Sequence, residues 1–196
     1  MRMSAGEPPW MLELEGEESW LLGVLLDFYR PLVDPDDEQP EEPAAQPDGP
    51  GETDSFAFWE ADVVGDDADR REEDPALLRL FPDAYPDDPS ASADFRRFTL
   101  SGQRRERLDD IATVRKGLEL LETGPLPIGA DDLDPWLRVT NALRLVLASR
   151  LGIVDEVSAE EAERGAQQDP SDIVHPAYEW LGVFIEILIE VSWGRI

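Results

Sequence analysis

Apolar side chains recur at three- and four-residue spacing in several stretches of this chain, a period that marks amphipathic helices and not strands. Leu21, Leu22, Leu25, Phe28, Tyr29 and Leu32 form the first stripe, with Glu17 and Glu18 at the end where the helix dipole favours carboxylates. A helix ending near Val33, ahead of Pro35, is expected. Just upstream, Trp10, Leu12 and Leu14 alternate with Met11 and Glu13, the pattern of a short strand or extended lead-in. At Asp74-Pro75 a second helix can start, with aspartate as N-cap and proline in the first turn. Leu77, Leu78, Leu80 and Phe81 give it an apolar surface and Pro82 limits its length.

PDAYPDDPS then reads as a turn, after which Ser90 or Ser92 can cap a helix with Phe95 and Phe98 as buried candidates. Beyond the Ser101-Gly102 weak point, Leu108, Ile111, Val114, Leu118 and Leu121 continue as a heptad-like stripe to Gly124-Pro125. Projected backwards, that stripe passes through Arg107, Arg104, Leu100 and Arg97 and misses both phenylalanines. Either the helix kinks near Gly102 or arginines occupy its seam. Residues 124–132 read as a loop, and Asp134-Pro135 opens a further helix. Its broad face comprises Trp136, Val139, Leu143, Val146, Leu147 and Leu151, with Gly152 as C-cap and Arg150 on that same face. The last helix follows His175-Pro176: Tyr178, Leu181, Phe184, Ile185, Leu188 and Val191 cover most of its circumference, while Glu179, Glu186 and Glu190 share a narrow arc. It is the expected central helix.

Charge changes the picture between these helices. Of the 28 excess negative charges, 21 fall in residues 34–74 and 155–172. DPDDEQPEEPAAQPDGP, with five prolines and seven acids, excludes a packed helix or strand, so residues 34–73 are read as an acidic, proline-rich, disordered tether. Phe56, Phe58 and Trp59 form an aromatic knot within it, either anchoring the tether to the core or docking on a partner. Residues 155–172 read as a second acidic insertion, in which Ala159–Gln167 can form a short exposed helix. The expectation is one all-α domain over residues 1–196, a helical bundle of about five principal helices.

The absence of cysteine excludes disulfides, thiolate zinc sites and thiol nucleophiles, and permits a reducing cytoplasm. The first ten residues contain no apolar run of signal-peptide length, and WLGVFIEILIEVSW is interrupted by Glu186 and Glu190, so neither export nor a membrane span is expected. Asp83, Asp87, Asp88 and Asp94 invite a metal, yet lack the alternating ligands, glycine and final glutamate of an EF-hand; turn formation and helix capping account for them. Glu186 and Glu190 are a conceivable carboxylate pair, read as a solvated stripe or as partners of arginines. His175 is the sole histidine and no G-x-S-x-G, P-loop or G-x-G-x-x-G stretch accompanies it. No catalytic set, cofactor or metal is therefore expected. Arg96, Arg97, Arg104, Arg105 and Arg107 make the one basic concentration, read first as ion pairing within the chain and otherwise as recognition of an acidic partner segment; the candidates are Arg97, Arg104 and Arg107, in a groove for carboxylates from Glu186 and Glu190 or from the tether. A net charge of −28 argues against nucleic acid as the partner.

DPALLRLFPDAYPDD, DFRRFT, PWLRVTNALRLVLASRLGI and YEWLGVFIEILIE together resemble an actinobacterial domain-of-unknown-function family, over the first helix and residues 74–193. Its members are typically encoded beside the N-end-rule adaptor of the Clp protease and a JAB-type metallopeptidase. One departure stands at Thr140-Asn141-Ala142-Leu143-Arg144, where the family pattern reads L-N-D-L-R and this chain lacks the carboxylate. The resemblance implies an all-helical cytoplasmic protein. It points to a non-catalytic, regulatory protein-interaction role linked to cytosolic proteolysis, with a protein partner in the Clp system; a DNA-associated transcriptional regulator using the arginine helix is the alternative.

Overall fold

The computed structural model describes residues 1–4, 6–34, 74–169 and 171–194. The stripe beginning at Leu21 becomes helix α1, Gly16–Val33, which buries Leu22, Leu25, Leu26, Tyr29, Leu32 and Val33. Its N-terminus is closed by the Glu15 amide donating to Glu18 Oε2 at 2.8 Å. Helix α2, Pro75–Leu80, starts as Asp74-Pro75 dictates: Asp74 Oδ1 accepts from the Ala76 amide at 2.8 Å.

Helix α3, Pro89–Leu121, is continuous through Gly102. Asp88 caps it, accepting from the Ala91 amide at 3.0 Å, so neither expected serine is the cap. Ser92 instead ties the turn to the helix, its hydroxyl donating to the Tyr85 carbonyl at 2.8 Å and accepting from the Tyr85 amide at 3.1 Å. Phe95 and Phe98 are not buried; they are 40% and 80% exposed. The cause is helix length. After Ser92 the buried positions of α3 resume only at Asp110, followed by Ile111, Val114 and Gly117, so the N-terminal half carries side chains into solvent. Phe95 instead meets Tyr85 edge-on, ring centroids 6.1 Å apart.

The stretch expected to be a loop contains a strand. β3, Leu126–Ile128, pairs antiparallel with β2, Trp10–Glu13, which pairs antiparallel with β1, Arg2–Met3. Trp10 faces Ile128 and Leu12 faces Leu126, all four buried. Proline is tolerated at position 127 because β3 is an edge strand, where a missing N–H breaks no ladder bond.

Helix α4, Leu133–Arg150, ends at Gly152, whose φ of +68° supplies the left-handed cap the sequence calls for. Helix α5, Glu156–Gln168, has no buried residue and is capped by Asp155. Helix α6, Val174–Ser192, buries His175, Ala177, Leu181, Phe184, Leu188 and Val191. It packs chiefly on α4, but α4, which also touches α1, α2 and α3, is the hub of the bundle. The expectation that α6 is central fails because its glutamate arc and Val183, 52% exposed, face solvent. Buried residues from every helix except α5 join one core with β2 and β3. No helix among the described residues is long and apolar enough to cross a membrane.

Candidate functional site

Helical geometry places residues three, four and seven apart on one face, and α3 places arginines there. Ala93, Arg96, Arg97, Leu100, Ser101, Arg104, Arg105 and Leu108 line an open groove of about 530 Å³, with Asp34, the residue after α1, at its edge. Leu100 and Leu108 are half-buried against the core and give the groove an apolar strip between guanidinium groups. Arg96 bonds to Asp83 across the turn, and Arg97 lies 3.5 Å from Asp94 one helical turn back. Arg104 stands 5.8 Å from the centroid of the Phe81 ring.

Arg97 and Arg104 thus share the groove, and Arg107 does not. Its Nη2 donates to the Leu80 carbonyl at 2.6 Å and its Nη1 to the Tyr29 hydroxyl at 3.3 Å, while its guanidinium lies 5.0 Å above Phe81. One side chain therefore ties α3 to α1 and to the end of α2, resolving the choice between a kink and arginines in the seam in favour of the arginines. Burial pushes the Tyr29 hydroxyl above its ordinary value, with Arg107 pulling the other way. Glu186 and Glu190 are exposed on α6, and among the described residues they form no ion pair with these arginines. Helix α6 packs chiefly on α4, so its glutamates are not brought against the arginines of α3. Phe56, Phe58 and Trp59 lie outside the described residues.

The aspartates of the turn serve structure: Asp88 caps α3, Asp83 holds Arg96 and Asp94 neighbours Arg97. Among the described residues no three His, Cys, Asp or Glu side chains are grouped to hold a metal. His175 is buried with its ring 6.3 Å from that of Tyr178. A guanidinium donates hydrogen bonds and keeps its charge at all working pH values, so the groove is equipped to hold an anion and not to move a proton.

Other charged pairs were only partly legible. Arg150, conspicuous for its place on the apolar face of α4, makes a two-pronged contact to the buried Asp74, Nη1 to Oδ1 at 2.9 Å and Nη2 to Oδ2 at 2.8 Å, and is itself half-buried. Asp74 thereby caps α2 and bolts it to α4. Arg138 clasps the buried Asp110 through Nε and Nη2, each at 2.7 Å. The signal was available in Asp110, which falls beside Ile111 on the inward side of α3.

Two curated relatives carry regulatory names. "Oxidative stress regulator AosR" of Mycobacterium tuberculosis (strain ATCC 25618 / H37Rv) is 30% identical over 137 residues, covering 64% of this chain and 61% of that protein. "Putative oxidative stress regulator AosR" of Mycobacterium leprae is 32% identical over 133 residues, covering 61% and 59%. The matched region is about three-fifths of either relative's length. No solved structure matches the chain. The family model described as "Domain of unknown function (DUF2017)" matches residues 1–192, and the chain belongs to that family.

Proposed function

We propose that this chain is a non-catalytic regulatory protein that works by contact with a protein partner, and that the α3 arginine groove is the contact surface. The observation that carries the reading is the gathering of Arg96, Arg97, Arg104 and Arg105 around the apolar strip of Leu100 and Leu108. Guanidinium groups bind carboxylates in a planar, forked geometry, and an apolar strip between them suits the side chains of a peptide better than a row of phosphates. The partner segment is therefore acidic with interspersed apolar residues.

The regulatory names of the mycobacterial relatives support the same class of role. With no cysteine, this chain has no thiol to oxidise, so a part in an oxidative stress response would run through contact and not through thiol chemistry of its own. A Clp-linked partner in the cytoplasm rests on the family resemblance and its gene neighbourhood. DNA is the second reading, favoured by four arginines on one helix face and opposed by a net charge of −28.

The test is affinity purification from the native host with the full chain, the chain lacking residues 34–73, and the Arg97→Glu/Arg105→Glu variant. Recovery of Clp components by the full chain and their loss on charge reversal is expected. Equal recovery with the reversed groove sinks the reading. Duplex DNA binding whose salt slope drops by about one per arginine removed would install the second reading instead.

A further inference from the structure

Arg79 of α2 and Arg144 of α4 line one cleft bordered by α5 and α6, each without a carboxylate ion pair among the described residues. The chain has 45 acids, and Arg2, Arg96, Arg97, Arg115, Arg138 and Arg150 each pair with one. Arg79 and Arg144 bind neutral groups instead. Arg79 Nη2 donates to the Ile153 carbonyl, and Arg144 Nη2 donates to the Tyr178 hydroxyl at 2.9 Å. The Arg144 guanidinium lies 4.4 Å over the Tyr178 ring, and its buried Nε has no acceptor among the described residues. Both arginines are half-buried, where a charge hydrogen-bonded to neutral groups and not to a carboxylate is costly.

Both line one cleft of about 610 Å³ whose apolar wall includes Leu145, Ala148, Ile153 and Ala159. Gly182 makes room for this arrangement: a Cβ there would lie 3.3 Å from Arg144 Nε and 3.6 Å from Nη2, so the glycine lets the guanidinium lie flat across α6. Asp155 and Glu156 also line the cleft, yet neither is ion-paired with the two arginines. Asp155 is turned onto Ser158 as the α5 cap, its carboxyl held below the usual range by the Ser158 amide and hydroxyl.

We propose that this cleft binds a monocarboxylate attached to an apolar group, the carboxylate on Arg79 and Arg144 and the apolar part against Leu145, Ala148 and Ile153. Two guanidiniums lining one cleft suit an oxyanion. The apolar wall calls for a hydrocarbon portion beside it, and a volume of this size accommodates a small molecule or the end of a peptide. The carboxylates of Asp155 and Glu156 at the same opening select against anions of higher charge, since like charges repel. This site is separate from the α3 groove and does not rest on it.

The full chain, labelled with ¹⁵N, is titrated with N-acetyl-leucine, N-acetyl-leucine amide, 4-methylpentanoate and inorganic phosphate while amide shifts are followed. N-acetyl-leucine is expected to bind in the millimolar range and to move the amides of Ala148, Ile153 and Ala159. Its amide should bind about tenfold more weakly, because the charge-assisted hydrogen bonds are lost. Binding of 4-methylpentanoate equal to that of N-acetyl-leucine identifies a free acid as the ligand; weaker binding identifies a peptide C-terminus. Arg144→Gln should weaken N-acetyl-leucine about tenfold. Arg79→Gln, which loses only one carbonyl contact, should do the same with the thermal midpoint preserved. Equal binding of acid and amide, equal or tighter binding of phosphate, shifts confined to other surfaces, or a folded Arg79→Gln chain that binds unchanged each overturns the proposal.

Discussion

Gly117 occupies a point on α3 where a methyl group has no room. A Cβ there would lie 2.5 Å from Trp136 Cζ2 and 3.0 Å from Leu126 Cδ2. The Trp136 ring cannot swing aside, being buried and held edge-on by Phe184 at 6.1 Å. Gly117→Ala gains about 1 kcal/mol of helix propensity but incurs about 1–3 kcal/mol of overpacking. A net loss of up to about 2 kcal/mol, read as a lower urea midpoint at unchanged slope, is expected. A stabilised variant would show that the ring yields freely. Glu18 gives a pH prediction. Burial alone would raise its pKa, but the Met1 ammonium 2.7 Å away, the Glu15 amide and the Trp180 indole together bring it below 4.5. A lowered folded-state pKa means the unfolded chain binds the proton more readily, so this contribution is present above about pH 4.5 and disappears as pH falls through the folded value. The stability gap between native chain and Glu18→Gln should therefore be widest near neutrality and close in acid; a gap independent of pH contradicts it. Single residues were legible where a charge sat in an apolar period, as with Arg107 and Arg150. They misled where apolar character alone was taken for burial, as with Phe95 and Phe98, which the periodic stripe of α3 bypasses.

Helix α3 shows what patterning can and cannot fix at the scale of an element. Its 33 residues exceed the span that the core covers, so only the C-terminal half has a buried face to read and the N-terminal half presents its arginines on an exposed one. Gly102 lies between those halves with nothing within 4 Å of its would-be Cβ. Gly102→Ala should then stabilise the chain by about 0.5–1 kcal/mol and slow amide exchange from residue 95 to 105, through helix propensity and a less varied unfolded state. No change in exchange would mean that the N-terminal half is held by contacts other than its own backbone. Helices α1, α4 and α6 were legible because each carries a stripe wide enough to bury, and α2 because Asp74-Pro75 is an unambiguous start. Strand β3 was not: Pro125 and Pro127 are loop signals, and only pairing with β2, more than a hundred residues earlier, makes Leu126 and Ile128 a strand. The identity of the hub was hidden for a related reason, since hydrophobic girth does not say how many neighbours a helix touches.

Across the whole molecule, attraction and repulsion between charges compete, and salt separates them. The net charge of −28 opposes the compact state through repulsion that acts over many ångströms. The exposed pairs Arg2–Glu13 and Arg115–Asp27 oppose it with about 0–1 kcal/mol each. The Arg150–Asp74 pair is little exposed and therefore little screened. Raising ionic strength from about 0.01 M to about 0.15 M shortens the Debye length from roughly 30 Å to roughly 8 Å, which suppresses the long-range repulsion far more than contacts below 4 Å. The melting temperature of the full chain is therefore expected to rise with sodium chloride over that range. Helix α5 offers a control, because Glu160, Glu161 and Glu163 are exposed and pair with no cation among the described residues, on a helix that buries no side chain. Replacing all three with glutamine should raise the low-salt melting temperature and flatten its salt dependence, leaving the high-salt value nearly unchanged. A midpoint that falls as salt is added would mean that the ion pairs outweigh the repulsion, and that the excess negative charge is neutralised within the fold instead of being borne by it.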